Sequence, residues 1–183
     1  MPTREDVYVA ISMDMEYIED HYKHRCATTD EEYIPLFNWY TEDFVINILR
    51  LNAKLLNVQS KYEQLDLVRT ISAYCSLAIE NCGGQARDVN TGYSMSFLEP
   101  RLTPGKVQAV INTECQYIQE SIEKQNSHAS YIVRIQHELN NLVSEWSTKP
   151  GEEYALDTVR VIAGLCVCCL EQFGVGLRAP FKP

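Results

Sequence analysis

The sequence predicts an all-α protein in which two tandem three-helix repeats pack as one pseudo-twofold six-helix domain. Three observations carry that expectation. Apolar residues recur at helical spacing through most of the 183 residues. The few chain breakers, 8 Gly and 7 Pro, fall mostly between those periodic stretches. The chain also resembles itself at a fixed offset, the mark of an internal repeat. Val7, Ile11, Tyr17 and Ile18 return 100 residues later as Val107, Ile111, Tyr117 and Ile118, with Asp14 opposite Glu114 and Asp20 opposite Glu120. A second block returns 91 residues later: Leu65, Asp66, Val68, Arg69, Ile71 and Cys75 pair with Leu156, Asp157, Val159, Arg160, Ile162 and Cys166. Beyond it, Glu80, Gly83 and Arg87 pair with Glu171, Gly174 and Arg178. The drop in offset predicts a longer loop in the first repeat, within residues 23–35.

Each element follows from its punctuation. The first helix is expected over residues 4–25, with Thr3 as N-cap and Asp6 completing a capping-box pattern. The second is expected over 31–57, with Pro35 in its first turn or bending it there. The third, over 60–82, has Ser60 as N-cap and Gly83 as its stop. In the second repeat, Thr103 precedes Pro104, an N-cap followed by proline at the first helical position, and opens a helix to about residue 126. Ser127 begins the next, to about 147, and Lys149-Pro150-Gly151 breaks the chain. The last helix spans 152–173 and stops at Gly174. The units are therefore residues 1–87, a linker over 88–102, and residues 103–183. A three-helix unit of this size buries too little apolar surface alone, so the two should share one core. The run Val161 to Leu170 is apolar around its whole circumference, which places the last helix, and with it its counterpart Ile71 to Ile79, at the centre.

Charge and cysteine usage narrow the function classes. The formal charge is −9, and residues 1–100 carry 16 acidic against 8 basic side chains while residues 101–183 carry 9 against 8. Such a surface repels phosphate backbones, so direct nucleic-acid binding is not expected; the charge reads first as a solvated acidic face, and alternatively as a surface aimed at a basic partner or one that mimics nucleic acid. The longest apolar run, Val161 to Leu170, is too short to span a bilayer. The first helix is amphipathic and unlike a secretory signal, so a cytoplasmic location is expected. The seven cysteines then read as small buried hydrophobes rather than disulfide partners.

No motif announces catalysis: there is no phosphate loop, dinucleotide turn, His-Glu-x-x-His or Gly-x-Ser-x-Gly. His21 and His24 stand at i, i+3 before Cys26, a spacing that also suits a polar helix end. Cys166, Cys168 and Cys169 point in too many directions on a helix to hold one tetrahedral ion. Glu16 and Glu19 lie on the arc of the first helix opposite its apolar stripe, and Glu63 and Asp66 form a second acidic pair at i, i+3. Paired carboxylates on two helices resemble the Mg²⁺ ligands of the MazG kind of all-α nucleotide pyrophosphohydrolases. That resemblance implies a metal set of Glu16, Glu19, Glu63 and Asp66 and, with Mg²⁺ as cofactor, release of pyrophosphate from nucleoside triphosphates. In the second repeat the matching positions are Gln116, Gln119, Tyr154 and Asp157, so three of the four acids are missing.

A different set is present in both repeats: Asp14 and Glu114, Tyr17 and Tyr117, Asp66 and Asp157, Arg69 and Arg160, Glu80 and Glu171, Arg87 and Arg178. Asp14 and Glu114 sit at the edge of the apolar stripe. Asp66, Arg69 and Glu80 share a face with Ala73, and Asp157, Arg160 and Glu171 share one with Gly164, small residues that permit close backbone approach. Two readings stand open. The set is a buried salt-bridge network that fixes helix register, or it forms two equivalent pockets in which Arg69 and Arg160, with Arg87, Arg178 and the tyrosines, hold an anionic ligand.

The repeat unit resembles small all-helical bacteriophage proteins of unassigned function, through Leu156-Asp157, Arg160, Ile162-Ala163-Gly164, Leu170-Glu171, Gly174 and Arg178. Those proteins carry a Glu-Arg pair in the first helix. Here it is Asp14-Met15 in one repeat and Glu114-Cys115 in the other. The resemblance covers most of the chain and implies a phage-type protein acting in the host cytoplasm. The expected function is non-enzymatic binding of a host protein or sequestration of a small anionic ligand such as a nucleotide, possessed of no cofactor and open to homodimer formation. The alternatives are the Mg²⁺-dependent hydrolase and a structural or assembly subunit.

Overall fold

A computed structural model describes residues 1–121, 127–146, 148 and 152–183. The described chain is all-helical, with α1 at Arg4–Thr28, α2 at Thr41–Leu55, α3 at Lys61–Cys82, α4 at Pro104–Ser121, α5 at His128–Glu145 and α6 at Glu152–Phe173. A 3₁₀ turn, Leu36–Asn38, precedes α2. The expected ends of the fourth and fifth helices, over 122–126 and at 147, and the Lys149-Pro150-Gly151 break lie outside the described residues.

Local chemistry sets most boundaries. The Thr3 hydroxyl accepts from Asp6 N at 3.2 Å while Thr3 N donates to the Asp6 carboxylate at 2.8 Å, the reciprocal cap expected at α1. The Thr103 hydroxyl accepts from Lys106 N at 3.4 Å, just before Pro104. Ser60 and Ser127 stand at N-cap positions, but neither side chain makes a capping bond. Gly83 (φ 89°) and Gly174 (φ 110°) end α3 and α6 in the left-handed region, which glycine enters without a Cβ penalty.

The second helix begins ten residues later than expected. Pro35 is not in its first turn but precedes the 3₁₀ turn, in extended conformation. Tertiary contacts override helix periodicity here. Trp39 and Tyr33 pack on Tyr22 of α1, at centroid distances of 5.1 and 5.4 Å, and the Trp39 indole donates to Ile34 O at 3.0 Å. The helix is instead capped by Asp43, whose carboxylate accepts from Tyr40 N at 2.8 Å.

α3 and α6 pack against each other at the centre, with α1 and α2 against α3 and α4 and α5 against α6. α1 also reaches α6, and α4 reaches α3. One continuous apolar core runs through all six helices. Every residue from Ile162 to Leu170 is buried, as its all-round apolarity requires. All seven cysteines are free and buried. Among the described residues no helix is long and apolar enough to cross a membrane. The segment after α3 folds back on itself: Gly84 and Leu98 exchange backbone hydrogen bonds at 3.1 and 2.7 Å, and Met95 N donates to Ala86 O at 2.8 Å.

Candidate functional site

Of the twelve residues common to both repeats, ten, all but Glu80 and Glu171, come together in two clusters of five. In the first, α1 supplies Asp14 and Tyr17 and α3 supplies Asp66 and Arg69. Arg178 arrives from the segment after α6. The Asp14 carboxylate accepts from Arg69 Nε at 3.0 Å, from the Thr70 hydroxyl at 2.8 Å and from Arg178 Nε. Arg69 Nη1 donates to Asp66 at 2.8 Å and to Gly176 O at 2.6 Å, and the Arg178 guanidinium lies 4.3 Å from the Tyr17 ring centre.

In the second cluster, α4 supplies Glu114 and Tyr117 and α6 supplies Asp157 and Arg160. Arg87 arrives from the segment after α3. Arg87 grips Glu114 bidentately, at 2.8 and 3.1 Å, and Arg160 Nε donates to the same carboxylate at 2.9 Å. Arg160 Nη1 donates to Asp157 at 2.8 Å and to Gln85 O at 2.6 Å, and the Arg87 guanidinium lies 4.2 Å from the Tyr117 ring centre. The two clusters thus share their main contacts, and each takes one arginine from the other half of the chain. Gly83 and Gly174 redirect the backbone after α3 and α6 so that Arg87 and Arg178 make this crossing.

Electrostatics decide what the clusters can do. Asp14 and Glu114 are not at the edge of the apolar surface but 0% and 1% exposed, and Arg69 and Arg160 are 3% and 2% exposed. Each cluster holds two carboxylates and two guanidinium groups, so each is neutral within itself. At Arg87, burial works against the charge, but the hydrogen bond to Glu114 and the charge of that carboxylate outweigh it and hold the guanidinium above its ordinary range. Nε and Nη1 of Arg69 and Arg160 are engaged by acids and backbone carbonyls. The face around Ala73 and Gly164 thus carries an ion-pair network whose centre, Asp14, Arg69, Glu114 and Arg160, is buried, while the Asp66, Asp157 and Arg178 side chains keep 55%, 32% and 28% exposure. A Cβ on Gly164 would stand 2.7 Å from Glu114 Cγ and 2.9 Å from Ile118 Cδ1.

Glu80 and Glu171, expected on the same face, do not join the clusters. Glu171 receives the Arg4 guanidinium in a fork at 2.8 and 3.1 Å, while Glu80 lines a cavity with Glu16 and Glu19. Fourteen residues, about four helical turns or roughly 20 Å along the axis, separate them from Asp66 and Asp157, so they lie beyond the clusters' reach although on nearly the same face. The proposed Mg²⁺ set is likewise not assembled: Glu16 and Glu19 border that cavity, Glu63 and Asp66 border another, and Asp66 is held by Arg69. Among the described residues no group of three or more His, Cys, Asp or Glu is placed to hold a metal ion.

Several members were not evident from the sequence. Thr70 bonds Asp14 and also accepts from Arg178 Nη2 at 3.1 Å, and Ser94, in the expected linker, donates to Asp157 at 3.2 Å. Looking only for residues common to both halves hides Thr70, because Val161 stands at its counterpart. The carbonyls of Gln85, Gly92 and Gly176 carry no side-chain signal at all. No protein-family model, curated protein or solved structure matches the chain.

Proposed function

We propose that this protein works by binding another protein rather than by catalysis, and that the partner presents a basic and apolar surface. The carrying observation is the segment between α1 and α2. Tyr33, Ile34, Phe37 and Tyr40 are exposed there, from 40% to 67%. They are not loose: Ile34 N donates to the Tyr22 hydroxyl at 3.1 Å, Trp39 packs on Phe44 at 5.1 Å, and the Arg101 guanidinium stands 4.8 Å from the Phe37 ring centre. Exposed Asp30, Glu31, Glu32 and Glu42 surround them. Pre-positioned aromatic side chains are what protein interfaces enrich, because they bury large area at small entropic cost, and the acids favour a basic partner.

The same proposal holds that the chain arose by tandem duplication into two three-helix repeats. The two offsets in the sequence and the main contacts common to the clusters support it. On that reading the clusters are glue, and the aromatic segment begins in the longer loop of the first repeat, with Tyr33 and Ile34, and continues past it to Phe37 and Tyr40. The resemblance to bacteriophage proteins makes a host protein the proposed partner. Self-neutralised clusters favour this partner over a small anionic ligand.

Capture from host lysate on the immobilised chain, compared with the Phe37→Asp/Tyr40→Asp variant, tests the reading. A protein retained by the wild type, released by raised salt and lost with the variant is expected. Retention unchanged by the variant, or Mg²⁺-dependent pyrophosphate release by the wild type, sinks it.

A further inference from the structure

A cavity of ≈ 210 Å³ lies where α1, the C-terminal half of α3 and the start of α4 meet. Ile11, Met15, Leu77 and Val107 give it apolar walls, and Glu16, Glu19 and Glu80 supply carboxylates. Lys23 takes Glu19 at 3.1 Å. Among the described residues no cation pairs with Glu80. Burial, with a contribution from the Glu19 charge, holds the Glu80 carboxyl above its ordinary range, as befits a half-buried acid without a counter-ion.

The matching position in the other half of the chain is filled. Glu171, 91 residues after Glu80, receives both Nε and Nη2 of Arg4, at 2.8 and 3.1 Å. Arg4 is the first residue of α1, directly after the Thr3 cap. At the same place in α4, directly after Thr103, stands Pro104, which lines the cavity and brings no charge. The molecule thus shows, at one of two corresponding carboxylates, a guanidinium seated on it, and at the other an open cavity.

We propose that the cavity at Glu80 binds a guanidinium group carried on an aliphatic stem, seated on Glu80 as Arg4 is seated on Glu171. The stem lies along Ile11, Met15, Leu77 and Val107. The volume is below the ~300–1,000 Å³ of ordinary small-molecule pockets, so it suits one side chain rather than a nucleotide. The inference extends the protein-binding reading, and rests on it for the source: an arginine of the partner. The cavity adjoins the aromatic segment through the chain itself, because Leu102 N donates to Glu80 O at 2.9 Å and the preceding Arg101 covers Phe37. A free guanidine carries the same chemistry, and the test separates the two sources.

The full chain is titrated with agmatine and with a short apolar peptide containing one arginine, following the Met15 methyl resonance. A saturable shift is expected with the wild type. Glu80→Gln should weaken binding roughly tenfold or more, the scale of one charge-assisted pair. Pro104→Arg should abolish it, because that variant supplies its own guanidinium at a position where α1 already accepts arginine. No shift with millimolar agmatine or peptide, or equal affinity in all three proteins, overturns the proposal. If Pro104→Arg fails to fold, the Glu80→Gln comparison decides alone. Tighter binding of the peptide supports a partner's arginine, and equal binding supports a free guanidine. Loss of this binding leaves the Phe37 and Tyr40 capture experiment standing, so the two readings fail separately.

Discussion

At the residue scale, the two clusters differ by one carbon in the buried acid and by one carbon, in the opposite sense, at the corresponding position of the central helix. The buried acid is Asp14 where the facing position on α3 is Ala73, and Glu114 where the corresponding position on α6 is Gly164. The longer acid leaves no room for a Cβ. Gly164→Ala should therefore destabilise the fold by about 1–3 kcal/mol, the usual cost of overpacking. Adding Glu114→Asp should recover part of that loss, read as a favourable coupling in a denaturant double-mutant cycle. Additivity within about 0.5 kcal/mol would disprove the fit. Glu80 gives a pH test. Its carboxyl is raised in the folded state, so folding disfavours its charged form. That penalty is in force above the folded pKa and is relieved as pH falls through it. Glu80→Gln should thus raise the melting temperature at neutral pH, with the gain fading in acid. Ala73 and Gly164 were legible in the sequence as small residues among the charges of their own helices, not as neighbours of Asp14 and Glu114. The full burial of Asp14 was not legible either, because helical position says which arc a side chain occupies and not what lies over it.

At the element scale, the helices were mostly written in their caps, and the exception is instructive. Residues 31–40 carry helix-compatible periodicity, yet Tyr33 and Trp39 gain more by packing on Tyr22 than by entering α2. The segments after α3 and α6 were legible as glycine stops followed by the matched Arg87 and Arg178, with no sign of where those arginines go. Their role is to deliver Arg87 and Arg178 to the opposite clusters. Deleting residues 174–183 removes both Arg178 and the Gly176 carbonyl, and leaves Asp14 buried with part of its compensation gone. A loss of about 3–5 kcal/mol is expected, the cost of breaking a buried ion pair, measurable by urea denaturation. A loss below about 1 kcal/mol would mean that the crossing arms are not structural.

At the scale of the whole molecule, the core is shared and each half completes the other's ion-pair cluster. Unfolding should be one cooperative transition, with equal calorimetric and van't Hoff enthalpies. Fragments 1–100 and 101–183 should each lack near-ultraviolet circular dichroism and regain it on mixing. Two separate transitions in the intact chain would contradict the shared core. The cysteines report the same event. Burial raises the thiols of Cys75 and Cys166, and pushes that of Cys169 up to about 12, so the native protein should resist alkylation. All seven should react together as the fold opens.

The sequence by itself determined six helices, the central place of the two most apolar ones, and the twelve polar residues that pair off at corresponding positions, ten of which the clusters take up. These are properties of local propensity and periodicity, which a single strand of text carries. Only the tertiary structure decided that the ten form two self-neutral clusters with buried centres, that each borrows an arginine from the other half, and that Glu80 faces a cavity where Glu171 holds Arg4. Such facts depend on contacts between residues as far apart as 167 positions, and on which charges are covered when the helices close together. No local pattern specifies either.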